Sequence, residues 1–184
     1  MAIDGELERK LREIVDRSEI WRVMQKYGRG LDRLDKALAM SCYWEDAIED
    51  HGNYVGHPSD FIDWADQATL SFQSSQHGLL NHSCDLQGED AYCETYYLFS
   101  GVTGGPTNFM STGRYIDHFQ KRDGVWKIAN RVCIIEGKFD VPASQFGADL
   151  PPPYTEEEPC QAARDRTDVS YHRPPVPRRP KQHA

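Results

Sequence analysis

Gln76-His77-Gly78-Leu79-Leu80-Asn81-His82 is the stretch on which the fold turns. It opens a run of strand-forming residues in mid-chain, with helical periodicity before it and three further strand-like segments after it. Strands are predicted over 76–87, 91–100, 108–121 and 125–138. Gly88-Glu89-Asp90 and Arg122-Asp123-Gly124 supply tight turns, and glycine and proline punctuate 101–107. Upstream, residues 5–16 carry Leu7, Leu11, Ile14 and Val15 at helical spacing. A second helix is predicted from Ser18, whose hydroxyl suits an N-cap, with Ile20, Val23, Met24, Tyr27, Leu31 and Leu34 as its apolar stripe. A short helix over 35–43, a strand and turn over 46–55, and a helix begun by Pro58 complete this half. Helices followed by consecutive strands specify an α+β domain with a mostly antiparallel sheet.

Two glycines interrupt the second helix. Gly28 and Gly30 each cost roughly 1 kcal/mol relative to alanine, so each needs a reason such as the close approach of another backbone or a cavity wall. Asp32 lies four residues beyond Gly28, on the same side of the helix.

His77 is the natural candidate for proton transfer, because imidazole titrates near working pH. Strict strand alternation puts His77, Leu79, Asn81 and Ser83 on one face and His82 on the other. That face, polar at His77 and Asn81 with an aliphatic residue between, suits an apolar pocket holding a few polar groups, and makes Asn81 a substrate-binding candidate. His82 reads as a structural or interface residue. An aspartate on a helix packed over His77 would orient the imidazole as a general base, although spacing alone leaves Asp32 one of many acidic residues. Trp44, Tyr96 and Met110 are further substrate-binding candidates; alternation does not say which sheet face is concave. Arg131 shares strand parity with Lys127 and Cys133, a mixed face that leaves its direction open.

The bulk properties exclude several classes. A net charge of −8 argues against nucleic acid as the main partner. No run is long and apolar enough for a membrane span, and Met1-Ala2-Ile3-Asp4-Gly5-Glu6 lacks the features of a signal peptide. Five cysteines without a C-x-x-C pair argue against a disulfide framework or zinc site and for a reducing cytoplasm. No metal or dinucleotide motif occurs, so no cofactor is expected. Nine of the eleven prolines fall in 140–184, which marks a domain over 1–139 and an irregular tail beyond it. Phe146, Leu150 and Tyr154 suggest an ordered first half of that tail, with its last ten residues disordered. Apolar residues on both faces of the last strand call for cover on each side, hence a homo-oligomer.

Tyr27-Gly28-Arg29-Gly30-Leu31-Asp32 at the end of the long helix, His77 after a Ser-Gln pair at a strand start, and Arg122-Asp123-Gly124-Val125-Trp126-Lys127-Ile128 together resemble the nuclear transport factor 2-like superfamily. The match is to its SnoaL-like branch, which holds scytalone dehydratase, hexachlorocyclohexane dehydrochlorinase and bile-acid 7α-dehydratase, and it covers residues 10–139. The resemblance implies a cone of N-terminal helices packed on a curved, mostly antiparallel sheet, the cystatin-like α+β roll. It implies an Asp32–His77 catalytic dyad, with Tyr27 and Arg131 assisting the leaving group or a developing oxyanion. It further implies a trimer and a cofactor-independent lyase of dehydratase type acting on a hydrophobic aromatic, polycyclic or steroid-like substrate. Formaldehyde release from a lignin-derived diaryl compound, steroid-type isomerisation and ligand binding without catalysis are the alternatives. The second histidine and the asparagine that scytalone dehydratase carries deeper in its pocket have no assigned counterpart, unless Asn81 or Asn108 replaces the latter.

Overall fold

A computed structural model describes residues 4–143 and 162–175. The elements are α1 (Gly5–Asp32), α2 (Lys36–Met40), β1 (Tyr43–Asp50), β2 (Val55–Gly56), α3 (Pro58–Thr69), β3 (Ser74–Gln87), β4 (Asp90–Val102), β5 (Thr107–Arg122) and β6 (Val125–Pro142), with a 3-10 turn at Val169–Tyr171. The strands form one sheet in the order β2-β1-β6-β5-β4-β3. β3 to β6 are an antiparallel meander, and β1 joins β6 in parallel. The fold is α+β, with the helices packed on a curved mixed sheet.

The two predicted N-terminal helices are one. Asp4, not Ser18, caps it by accepting from the Glu6 amide, and nothing between Asp16 and Glu19 breaks the helical hydrogen bonding. Glu6–Lys10, Glu8–Arg12 and Arg9–Glu13 pairs brace its exposed first turns, each worth about 0.2–0.5 kcal/mol at i,i+4 spacing. The second half carries the core, where Ile20, Val23, Met24, Tyr27 and Leu31 are buried. One of the two glycines has the reason anticipated for it. A Cβ on Gly30 would lie 2.7 Å from the Ala39 amide nitrogen, so glycine lets α2 pack against α1. A Cβ on Gly28 would meet the His77 Cβ at 3.4 Å, a contact close to ordinary packing distance, so Gly28 faces β3 without being required for its approach.

Side-chain alternation holds along β4 and β5 but not along β3 and β6. In β3, Leu79 faces Tyr97 and His82 faces Thr95, so Leu80 and Asn81 together oppose one residue of β4. This bulge reverses the parity. His77 and Leu79 point inward before it; His82, Cys84 and Leu86 turn toward the helix side after it, and Asn81 is exposed. In β6, Ile128 faces Phe119 and Asn130 faces His118, so Ala129 is the extra residue. Arg131 therefore points inward with Trp126 and Ile128 rather than sharing a face with Lys127.

The sheet also outruns the predicted boundary at residue 139, because β6 continues to Pro142. Phe146, Leu150 and Tyr154, expected to order the first half of the tail, lie outside the described residues, as does 176–184. Segment 162–175 lies against the C-terminal end of α1. Arg166 pairs with Asp35 at 3.0 Å, the Tyr171 hydroxyl donates to Asp35, and Arg29 stacks over the Tyr171 ring at 4.5 Å. Among the described residues no helix is long and apolar enough to cross a membrane.

Candidate functional site

Where α1 ends and β3 begins, Asp32 and His77 meet. His77 Nδ1 lies 2.7 Å from Asp32 Oδ1, and the His77 backbone amide donates to Asp32 Oδ2 at 2.9 Å. Ser75 Oγ adds a longer contact at 3.4 Å. The carboxylate is thus held by groups on one strand, and it holds the imidazole by Nδ1. Nε2 is left for whatever enters the cavity that His77 lines.

That cavity has a volume of about 320 Å³. Its walls are largely aromatic: Phe99 lies 4.8 Å from the His77 ring, and Phe61, Trp64, Phe72 and Phe109 complete the lining. Tyr27 and the stacked pair Tyr97 and Tyr115, 4.7 Å apart, also line it. The Tyr27 hydroxyl is fully buried and has no hydrogen-bond partner among the described residues. Burial pushes its pKa up, with the Glu49 charge adding to the shift and Arg131 opposing it, so the hydroxyl stays protonated and able to donate.

A second imidazole reaches the same cavity. His51 Nδ1 lies 3.0 Å from Glu49 Oε1, and the ring stacks on Phe61 at 4.2 Å. Glu49 is completely buried and also accepts from the Tyr43 hydroxyl at 2.7 Å. Sequence reasoning assigned no role to His51. The usable signal was alternation along β1, which puts Ala47, Glu49 and His51 on one face at the strand's end.

Arg131 does not line the cavity. It lies beneath the tyrosines, its guanidinium 4.1 Å from the Tyr27 ring and 4.2 Å from the Tyr115 ring. Two contacts of 2.6 and 2.9 Å bind it to Asp117, and a 3.4 Å contact reaches the Tyr43 hydroxyl. Burial works against both charges and raises the Asp117 carboxyl, while Asp117 and the flanking tyrosines keep Arg131 cationic. A fully buried, fully paired arginine supports the floor and has no path to a leaving group.

Four predicted substrate contacts also lie elsewhere. Asn81 is turned outward by the β3 bulge. Tyr96 and Met110 occupy the outer parity of regular strands, whose inner positions are Tyr97, Phe99, Phe109 and Ser111. Trp44 sits apart from the cavity, where its indole donates to the Gln120 carbonyl at 3.0 Å and takes Arg122 and Lys127 over its ring. His82, expected outward, points inward but at the far end of β3.

The tail supplies one wall. Arg164 lines the cavity, and its guanidinium donates to the carbonyls of Leu31, Asp32 and Thr69 and, at 3.0 Å, to Thr69 Oγ1. With Lys138 and Asp66 it adds charged groups to a largely apolar lining.

The SnoaL-like domain model matches residues 12–132 of the chain. No protein of curated function matches it in sequence. Among solved structures, a hexachlorocyclohexane dehydrochlorinase, LinA-type3 from Novosphingobium barchaimii, superposes with a TM-score of 0.66 at 18% identity, covering 78% of this chain and 99% of that one. A provisionally named scytalone dehydratase from Novosphingobium aromaticivorans gives 0.63 at 20% identity, over 72% of this chain and 91% of that one. At these identities the likeness is one of fold.

Proposed function

The chain belongs to the SnoaL-like domain family, and from that membership and the chemistry of the cavity we propose that it is a cofactor-independent lyase that eliminates water from a hydrophobic aromatic, polycyclic or steroid-like alcohol. The observation that carries this reading is the 2.7 Å contact between Asp32 and His77 at an aromatic-walled cavity. Asp32 fixes the tautomer by accepting from Nδ1–H, so Nε2 carries the lone pair that removes a proton from carbon. The imidazolium that forms is stabilised by the carboxylate behind it. Elimination also needs an acid where the leaving oxygen departs. The Tyr27 hydroxyl, protonated and without another partner, donates there, and His51 in the same lining is a second group able to move a proton. Arg131 acts through Tyr27, positioning its ring from below. The fold likeness to a provisionally named dehydratase and to a dehydrochlorinase supports elimination as the reaction type. Lys138 and Arg164, in a lining that also holds Asp66, suit a substrate that carries an oxygen acceptor.

Self-association is part of the same reading, with a trimer the expected assembly. Tyr92, Tyr96, Val132 and Ile134 are exposed together on the outer sheet face, and light scattering that reports a monomer at micromolar concentration would remove it.

The test is a thermal-shift screen of hydrophobic hydroxylated compounds, followed by mass analysis of the products formed from each stabilising ligand. Loss of one water is the expected outcome. Loss of formaldehyde would convert the proposal to a carbon–carbon lyase, and an unchanged mass for every binder would overturn it in favour of isomerisation or binding.

A further inference from the structure

A second cluster of reactive side chains lies at the other end of β3. The bulge at Leu80 and Asn81 turns His82 to the inner face, where it joins Cys84 two residues on. Cys93 is the direct partner of Cys84 across the β3–β4 ladder. A ring nitrogen of His82 and the Sγ atoms of Cys84 and Cys93 all lie within 4.8 Å of one another. None of the three lines the aromatic cavity.

We propose that His82, Cys84 and Cys93 form a binding site for a single thiophilic d10 metal ion, with Zn2+ as the reference ligand. Three features of the chain support it. First, His82 Nδ1 contacts Thr95 Oγ1 at 2.8 Å, while Nε2 is shielded from solvent and has no hydrogen-bond partner among the described residues. This is the arrangement of a ligating imidazole, in which an outer partner holds one nitrogen and directs the lone pair of the other. Second, the donor set is soft, two thiolates and an imidazole, and a divalent ion would leave the half-buried site with no net charge. Third, the spacing is close to what the ion requires. Zinc at about 2.3 Å from sulfur and about 2.0 Å from nitrogen sets tetrahedral donors about 3.5–3.8 Å apart, so the side chains close by rotamer adjustment without moving the strands. Trp21, whose ring lies 5.0 Å from that of His82, roofs the site on the helix side, and the fourth position falls to water.

The absence of a C-x-x-C motif pointed away from zinc. The motif that serves here is H-x-C on one strand completed by a cysteine on its hairpin partner; alternation and the ladder put the three donors on one face, and the bulge makes that face the inner one.

The experiment uses the tag-free full chain, reduced and stripped of metal, titrated with Co2+ as a spectroscopic stand-in for Zn2+. The expected result is a thiolate-to-cobalt charge-transfer absorption that saturates at one equivalent and is displaced by Zn2+. Cys84→Ser and Cys93→Ser each abolish it, and Thr95→Val weakens binding by about 10–100-fold, as loss of an outer-shell partner does elsewhere. A measurement on the unsubstituted protein guards against variants that fail to fold: Zn2+ should slow alkylation of Cys84 and Cys93 selectively, as mapped by peptide mass. No charge-transfer band in the reduced protein, a band that survives both serine variants, or alkylation of these two cysteines unaffected by Zn2+ would each overturn the site.

Discussion

His77 and His82 lie on the same strand, face the same side of the sheet and each use Nδ1 to bind an oxygen, yet their surroundings have nothing else in common. Behind His77 is a carboxylate, and before it an aromatic cavity. Behind His82 is the hydroxyl of a fully buried threonine, and around it are an indole ring and two thiols. A carboxylate stabilises an imidazolium, which is the support the proposed general base at His77 needs. A hydroxyl fixes ring orientation but brings no charge, so His82 is placed to offer a lone pair. The difference lies in the partner at Nδ1, not in the residue type or the strand.

The sharpest way to break this comparison is to delete each ring in turn. His77→Ala is expected to lower turnover by about a hundred- to ten-thousand-fold, the usual contribution of a general base, with the fold intact by circular dichroism. His82→Ala should leave turnover close to the starting value and instead lower unfolding stability by about 1–3 kcal/mol in urea, since it empties a packed inner position. Kinetic loss at His82 with none at His77 would reverse the assignment. Asp32→Asn is expected to approach His77→Ala in turnover, because the amide keeps the shape while losing the charge that holds the imidazolium. Kinetics indistinguishable from the unsubstituted protein would mean that the pair is structural.

A smaller effect sharpens the picture of the cavity floor. Tyr27→Phe removes a buried hydroxyl that has no partner, so stability should hold or rise slightly, within about 1 kcal/mol. Turnover should still fall by about tenfold or more if that hydroxyl supplies the leaving-group proton. A loss of stability without a loss of rate would return Tyr27 to the core.

Much of this was legible in the chain, and the part that was not has a specific cause. The order of helices and strands, Gly30 at a close approach and the antiparallel meander all follow from local patterns that reach only a few residues. The contact between Asp32 and His77 came from resemblance, since spacing could not choose among the acidic residues. The inner face of β4 and β5 was undetermined because alternation defines two faces without saying which one is covered. Asn81 and His82 were misdirected, and the direction of Arg131 left open, for another reason. Asn81 lies in a bulge and His82 and Arg131 just beyond one, and neither Leu80-Asn81 nor Ala129 carries a glycine or proline to announce it. Parity read from sequence is valid only up to the first unannounced bulge. The His82, Cys84 and Cys93 cluster lies beyond the bulge, where local alternation holds, and only its inward direction depended on the bulge. Ser18 erred differently, as a residue suited to capping that lies within an uninterrupted helix.

Arg164 ties the outer wall of the cavity mainly to main-chain carbonyls at the ends of α1 and α3. Carbonyls are supplied by every residue type, so the anchoring positions can vary in sequence while the clamp persists. Substitutions within 162–175 can in turn reshape the entrance without touching Asp32 or His77. The lining that 162–175 supplies is thereby separable from the proposed dyad, and a change there can alter which ligand fits while Asp32 and His77 keep their contact.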